Sequence, residues 1–386
     1  MLRFPAMFAA IIAITVLAQP IDPRGAELRS AYASVRSELD SRFSDSTAAS
    51  RSPDFPRTLN RAWRIAGDWT ALYLNTHPSA SPRDVVDAIH QLNRGGSGEY
   101  DLRAEAVSLS DRAAWAISAS YLHAGTFFVV ARDRGGPFAV RWNIKDAAAR
   151  HYASRDEIGN WASYTSAWGD GPLIGRVGQL TPNRNGRPRF YIDAHAAAAA
   201  GGTVRQQISV WEWDGRTASP LFIRSYSTSL ATAANTFSDR SITIRAKGDY
   251  KSFSSCGSCT EPEMTWQIRV TPDGVTNTPA EYADKELKAS DELWDAVIHH
   301  RSTQSIALPN VVTVLRRLTN EMIASSPDRE RLHLLGMLMK HDVTHSNGRT
   351  ILALSADNLP CSSIRFEIEK RHGGLYFTDV RAVSCN

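Results

Sequence analysis

Lysine is scarce in this chain of 386 residues: Lys145, Lys247, Lys251, Lys285, Lys288, Lys340 and Lys370 are the whole complement, and arginine supplies the remaining positive charge. No run of five or more like charges occurs, and the formal net charge is only +4. A nucleic-acid binder concentrates its cations into a stripe. Scattered arginines interleaved with acids describe a mixed solvated surface instead, and no nucleic-acid partner is expected. Cysteine is also sparse, with four residues, all after position 250. The chain has no G-x-S-x-G elbow, no P-loop, no dinucleotide G-x-G-x-x-G after a strand and no Asp-x-Asp-x-Asp-Gly calcium loop. No catalytic residue, cofactor or metal ligand is therefore assigned from sequence.

One long apolar run stands at the start. A single Arg3 precedes an apolar stretch from Ala6 to Ala18, and Val16 and Ala18 supply small residues before Gln19-Pro20. This arrangement predicts a secretory signal peptide over residues 1–18. The run is short for a hydrocarbon core that needs roughly 20 apolar residues. No second such stretch follows, so no membrane span is expected after cleavage. A periplasmic or extracellular location is the consequence. No cysteine follows the run, which argues against a lipid anchor.

With 42% hydrophobic residues and ten tryptophans, the rest of the chain can build a sizeable core. The fold class expected is α+β. It has a β-rich central region, a propeller-like array or a sandwich of antiparallel hairpins, between N-terminal and C-terminal helical segments. Residues 19–95 read as the N-terminal helical segment. Leu28, Tyr32, Val35 and Leu39 recur at helical spacing, as do Leu59, Trp63, Ile65, Trp69, Leu72 and Leu74. Ser81-Pro82-Arg-Asp84 then combines an N-cap, a first-turn proline and a first-turn acid.

After Arg94-Gly-Gly-Ser-Gly the period changes to two, and residues 96–280 read as an antiparallel β domain. Strands are expected at 104–109, 115–121, 126–131, 138–144, 173–177, 189–192, 204–213, 221–226, 241–246 and 265–271. Turns are expected at Asp133-Arg-Gly-Gly, Asp214-Gly215 and Asp273-Gly274. The alanine-rich stretch from Ala194 to Gly202 suggests a loop or short helix, and residues 146–168 admit helix or irregular chain. The hairpin run with its Trp-x-Trp-Asp-Gly turn resembles the blades of secreted propellers, an architectural likeness that lends no function. Residues 281–341 read as a second helical segment, with Leu332, Leu335, Leu338 and Met339 on one face of its last helix. Residues 342–386 read as a β-hairpin meander.

Three groups invite a chemical reading. Cys361 and Cys385 flank the last hairpin, and pairing them closes a loop of about 25 residues worth roughly 3 kcal/mol. Cys256 and Cys259 form C-x-x-C, whose bridge closes a smaller ring worth about 2 kcal/mol. The same spacing serves redox dithiols, but Ser254-Ser255 and Thr260-Glu-Pro262 suggest a loop rather than the strand–helix junction such a dithiol needs. Four cysteines allow three pairings; the two local bridges are expected. His341 and His345 are four residues apart and would share a helix face, yet the Glu of H-E-x-x-H is missing. Finally, Trp211 and Trp213 fall on one strand face with Glu212 and Asp214 on the other. They offer either a ligand-stacking platform or core-filling indoles.

The leading expectation is an exported, non-catalytic β-rich binding or structural module of a bacterial envelope, with an unknown ligand such as a saccharide or an envelope protein. The alternative is a polysaccharide-acting hydrolase or lyase with a carboxylate site on the β domain. A thiol–disulfide role for Cys256 and Cys259 is the third possibility.

Overall fold

The computed structural model describes residues 22–42, 52, 54–93, 102–110, 112–121, 124–133, 135–144, 173–197, 203–229, 235–248, 250–252, 263–325, 338–356 and 359–385. The expected leader, the C-x-x-C pair and residues 146–168 lie outside them. Five helices and four antiparallel sheets make up the described part, an α+β fold.

Three helices open it: α1 (Pro23–Arg42), α2 (Asp54–Thr76) and α3 (Pro82–Gln91). Their starts follow local chemistry. Pro23 takes the first position of α1, where its missing N–H costs nothing. Ser81 caps α3, with Ser81 and Asp84 exchanging side-chain-to-backbone bonds in a complete capping box. The apolar stripes expected of α1 and α2 are buried: Leu28, Tyr32, Val35 and Leu39 pack with Leu59, Trp63 and Trp69.

The first sheet is the meander β1 (Arg103–Ser108), β2 (Ala114–Tyr121), β3 (Ala124–Arg132) and β4 (Phe138–Asn143). Strand alternation divides its side chains cleanly. Trp115, Ile117, Phe128 and Val130 face the three helices. Ala114, Ala116, Phe127, Val129 and Trp142 face the second sheet. That sheet is β5 (Leu173–Leu180), β6 (Arg189–Ala197), β7 (Thr203–Trp213) and β8 (Ala218–Ser229). Its Phe190, Ile192, Trp211 and Trp213 meet the first sheet. Tyr191, Ile208 and Val210 point the other way, onto the third sheet.

The third sheet has β9 (Thr236–Phe237), β10 (Ser241–Lys247), β11 (Glu263–Thr271), β12 (Gly274–Asn277) and β13 (Glu281–Tyr282). It contributes Ile242, Ile244, Trp266 and Ile268 to that seam. Helices α4 (Lys285–Ile298) and α5 (Pro309–Ser325) follow, covering the fourth sheet of β14 (Leu338–Ser346), β15 (Arg349–Ala356), β16 (Cys361–Arg371) and β17 (Gly374–Cys385). No helix among the described residues is long and apolar enough to cross a membrane.

Two expectations are corrected. Ala194–Ala197 belong to neither a loop nor a helix: they continue β6, paired with Val204–Gln207 of β7. Residues 338–341 are strand, not the end of a helix. Ser346 pairs with Arg349, so Asn347-Gly348 forms a two-residue hairpin turn with both φ values positive, +50° and +77°. That geometry is the type I′ turn, which asparagine and glycine favour. Pairing along β15 overrides the leucine spacing.

Candidate functional site

The helical stripe that lies over the first sheet also opens a groove. Asn60, Trp63, Arg64, Gly67 and Asp68 of α2 are spaced i, i+3, i+4, i+7, i+8, so one helix face presents all five. Opposite them stand Thr126 and Phe128 of β3 and Val140 and Asn143 of β4. The space enclosed is about 250 Å³, near the small end of ligand pockets, which span roughly 300–1,000 Å³.

Two local devices shape it. A β-bulge lets Val129 pair with Trp142 while Val130 pairs with Val140, leaving Arg141 as the extra residue. Bulges re-aim side chains and gather beside functional sites. On the helix side, a Cβ at Gly67 would stand only 2.7 Å from a Val140 methyl. Glycine is what allows α2 to approach β4 this closely. Asn75 clamps the same strand further along: its Oδ1 accepts from Phe138 N at 2.6 Å and its Nδ2 donates to Phe138 O at 3.2 Å.

The lining is chemically mixed. Phe128, Val140 and the buried Trp63 make an apolar wall. Asn60 and Arg64 are exposed, and Asp68 and Asn143 are half-buried. Asn143 Nδ2 donates to Thr126 Oγ1 at 3.4 Å. Amides donate and accept, a guanidinium only donates and an ionised carboxylate only accepts. A ligand with many hydroxyls offers both donors and acceptors that suit such a mixed lining. Among the described residues, Asp68 is the one carboxylate in the lining.

The residues singled out from sequence lie elsewhere. Trp211 and Trp213 are buried between the first and second sheets. Trp142 meets Trp211 edge-on at 5.1 Å, and Trp211 Nε1 donates to Ser209 Oγ at 2.8 Å. Their indole faces are occupied by the core, leaving no platform for stacking a ligand. Glu212 pairs with the buried Arg189 at 3.0 Å, and Asp214 Oδ1 accepts from the backbone of Arg216 and Thr217 in the hairpin turn. His341 and His345 sit on β14, about 13 Å apart along an extended chain. His341 Nε2 lies 2.8 Å from Asp284 Oδ2, the N-cap carboxylate of α4. Cys361 and Cys385 are register partners across β16 and β17. Among the described residues no group of three His, Cys, Asp or Glu could hold a metal.

The groove was missed because its signal is faint: Asn60, Arg64 and Asp68 at every fourth position look like an ordinary solvated face. Comparison with protein-family profiles, curated proteins and solved structures returned no match for the chain.

Proposed function

We propose that this protein is an exported binding module of the bacterial envelope that holds a hydroxyl-rich ligand, of the saccharide class, between α2 and the first sheet. The groove itself carries the reading. Its apolar wall suits the C–H face of a sugar ring, and its amide, guanidinium and carboxylate groups match hydroxyls that both donate and accept. The volume suits about one ring, with the rest of a chain outside.

Hydrolysis of a glycosidic bond ordinarily needs two carboxyl groups flanking it, roughly 5–10 Å apart. Among the described residues Asp68 has no second carboxylate beside it in the lining, which favours binding over the hydrolase alternative. Face-to-face packing of three successive sheets fits a sandwich-like arrangement and a blade-like array alike. Export rests on the leader at residues 1–18 and on the cysteines. A disulfide between Cys361 and Cys385 is supported by their register at the open end of the last hairpin.

Titrating the purified protein with soluble cell-wall and plant oligosaccharides, read by calorimetry and by chemical shifts of α2 amides, tests the proposal. Binding by at least one glycan is expected, and Asp68→Asn should weaken it tenfold or more, a loss of about 1.4 kcal/mol, without lowering the unfolding temperature. Binding that Asp68→Asn and Arg64→Ala leave unchanged, or no binding by any glycan, would refute it.

A further inference from the structure

A second polar feature lies away from the groove, in the seam between the second and third sheets. Along β6 the residues Phe190, Ile192 and Ala194 face the first sheet, so Tyr191 and Asp193 face the third. Asp193 is only 6% exposed. It pairs in register with Arg176 of β5 and Ile208 of β7. Its Oδ1 has no hydrogen-bond partner among the described residues.

Every neighbouring element contributes to its surroundings. Asn235, just ahead of β9, hydrogen-bonds the carboxyl. It also donates Nδ2 to Tyr226 Oη of β8 at 2.5 Å and accepts from Arg245 N of β10 at 3.2 Å. Arg176 is exposed, with its guanidinium 5.8 Å from the ring of Phe237 on β9, and Tyr191 stacks on that same ring at 4.5 Å. Glu105 of β1 reaches across from the first sheet, its Oε2 accepting from Val177 N at 3.2 Å. Among the described residues, Arg176 and Glu105 are the charged groups that act most on Asp193, with Tyr191 and Tyr226 as neutral phenols. Next in register beyond Ile208, Arg224 of β8 is a further cation on this seam, its guanidinium 4.3 Å from the Trp266 ring of β11, while Ile242, Ile244 and Met264 of β10 and β11 are apolar.

We propose that Asp193 is a proton-operated latch on this seam, holding the second and third sheets together when neutral and loosening them when ionised. A neutral carboxyl with one unpaired oxygen is tolerable in an apolar seam. An anion there leaves an unsatisfied charge-bearing oxygen, which is far costlier. Burial raises the group from its ordinary 3.8 to about 7, with Glu105 pushing the same way and Arg176 and Asn235 opposing. The folded state therefore holds the proton more tightly than the unfolded chain. Stability is full below the ordinary carboxylate range and falls as pH rises through the window up to about 7. For an exported protein, that window covers mildly acidic to neutral surroundings.

The test compares the full chain with Asp193→Asn between about pH 5.5 and 8, by thermal unfolding and by amide exchange in β6 and β10 corrected for intrinsic rates. The native protein should lose several degrees of unfolding temperature and exchange those amides about tenfold faster at the higher pH, a 1.4 kcal/mol change. Asp193→Asn should flatten both. His195 lies two positions along β6, and histidine is the side-chain type that ordinarily ionises at these pH values, so His195→Gln is the control and should keep the native slope. A slope that survives in Asp193→Asn, or vanishes in His195→Gln, overturns the latch. Should Asp193→Asn not fold, carboxyl carbon shifts of the native protein decide: titration of Asp193 above about pH 6 supports the proposal, and titration near pH 4 overturns it.

Discussion

The first and fourth sheets are built from the same four-stranded meander but are covered differently. In the first, helices lie on one face and another sheet on the other, so β2 is buried from Ala114 through Ser120 and β3 from Thr126 through Ala131. In the fourth, α4 and α5 cover one face and solvent meets the other. Buried Ile364, Phe366 and Ile368 accordingly alternate along β16 with exposed or half-buried Arg365, Glu367 and Glu369. Coverage, not topology, decides how apolar a strand must be. Where both faces are covered, sequence alternation disappears. Where one is open, charged residues return and pair across strands, as Arg349 and Glu367 do at 2.9 Å.

The largest effects should expose this difference. Phe127→Ala and Phe128→Ala remove adjacent side chains pointing into two separate cores, and each is expected to cost about 3–5 kcal/mol in chemical denaturation. In β16 the same adjacent-pair experiment should split. Phe366→Ala should lose about 3–5 kcal/mol, whereas Arg365→Ala on the exposed face should stay within about 0.5 kcal/mol. Equal losses for Arg365 and Phe366 would mean that the fourth sheet is covered on both faces.

A smaller effect tests the proposed disulfide between Cys361 and Cys385 as a tie on the fourth sheet. With one face open it has a smaller core to rely on, and Cys361 lies opposite Cys385 where β16 and β17 end. Cys361→Ser, or reduction of the native protein, should lower stability by about 3 kcal/mol. The loss should concentrate in exchange protection of β14–β17 and leave β2 and β3 unchanged. Uniform loss across both sheets would place the tie in a single cooperative unit.

These differences explain what was legible in the sequence. Strands β2, β3, β7 and β11 were readable because β-branched and aromatic residues run between clear turns such as Asp214-Gly215, where Gly215 has φ +101°. The two-residue strands β9 and β13 carry too few residues for any period to show. The paired tryptophans 211 and 213 were ambiguous, since a stacking platform and a core look alike until the opposing Trp142 is in place. The groove's helix half was written at every fourth position of α2, but its strand half depends on the bulge at Arg141, which no local pattern announces. Asp193 did interrupt the apolar run Phe190–Ile192. Whether such an acid is solvated or buried is settled only by the sheet that lands on it.

The smallest effect separates two hairpin turns that look alike in sequence. Asn347-Gly348 and Asp273-Gly274 are both acid- or amide-glycine pairs between strands. In the first, Gly348 occupies the turn itself at φ +77°, a left-handed conformation that costs an L-residue about 1–2 kcal/mol. In the second, Gly274 pairs with Thr271 as the first residue of β12, has no positive φ, and a Cβ there would meet nothing within 4 Å. Gly348→Ala is therefore expected to destabilise by about 1 kcal/mol or somewhat more. Gly274→Ala should change stability by less than about 0.5 kcal/mol, because alanine loses less backbone entropy than glycine in a strand. The same substitution at two Asx-Gly sites thus reads whether β14 and β15 are joined by a tight hairpin. Equal, negligible effects would return residues 338–341 to the helix that the spacing of Leu332, Leu335 and Leu338 suggests.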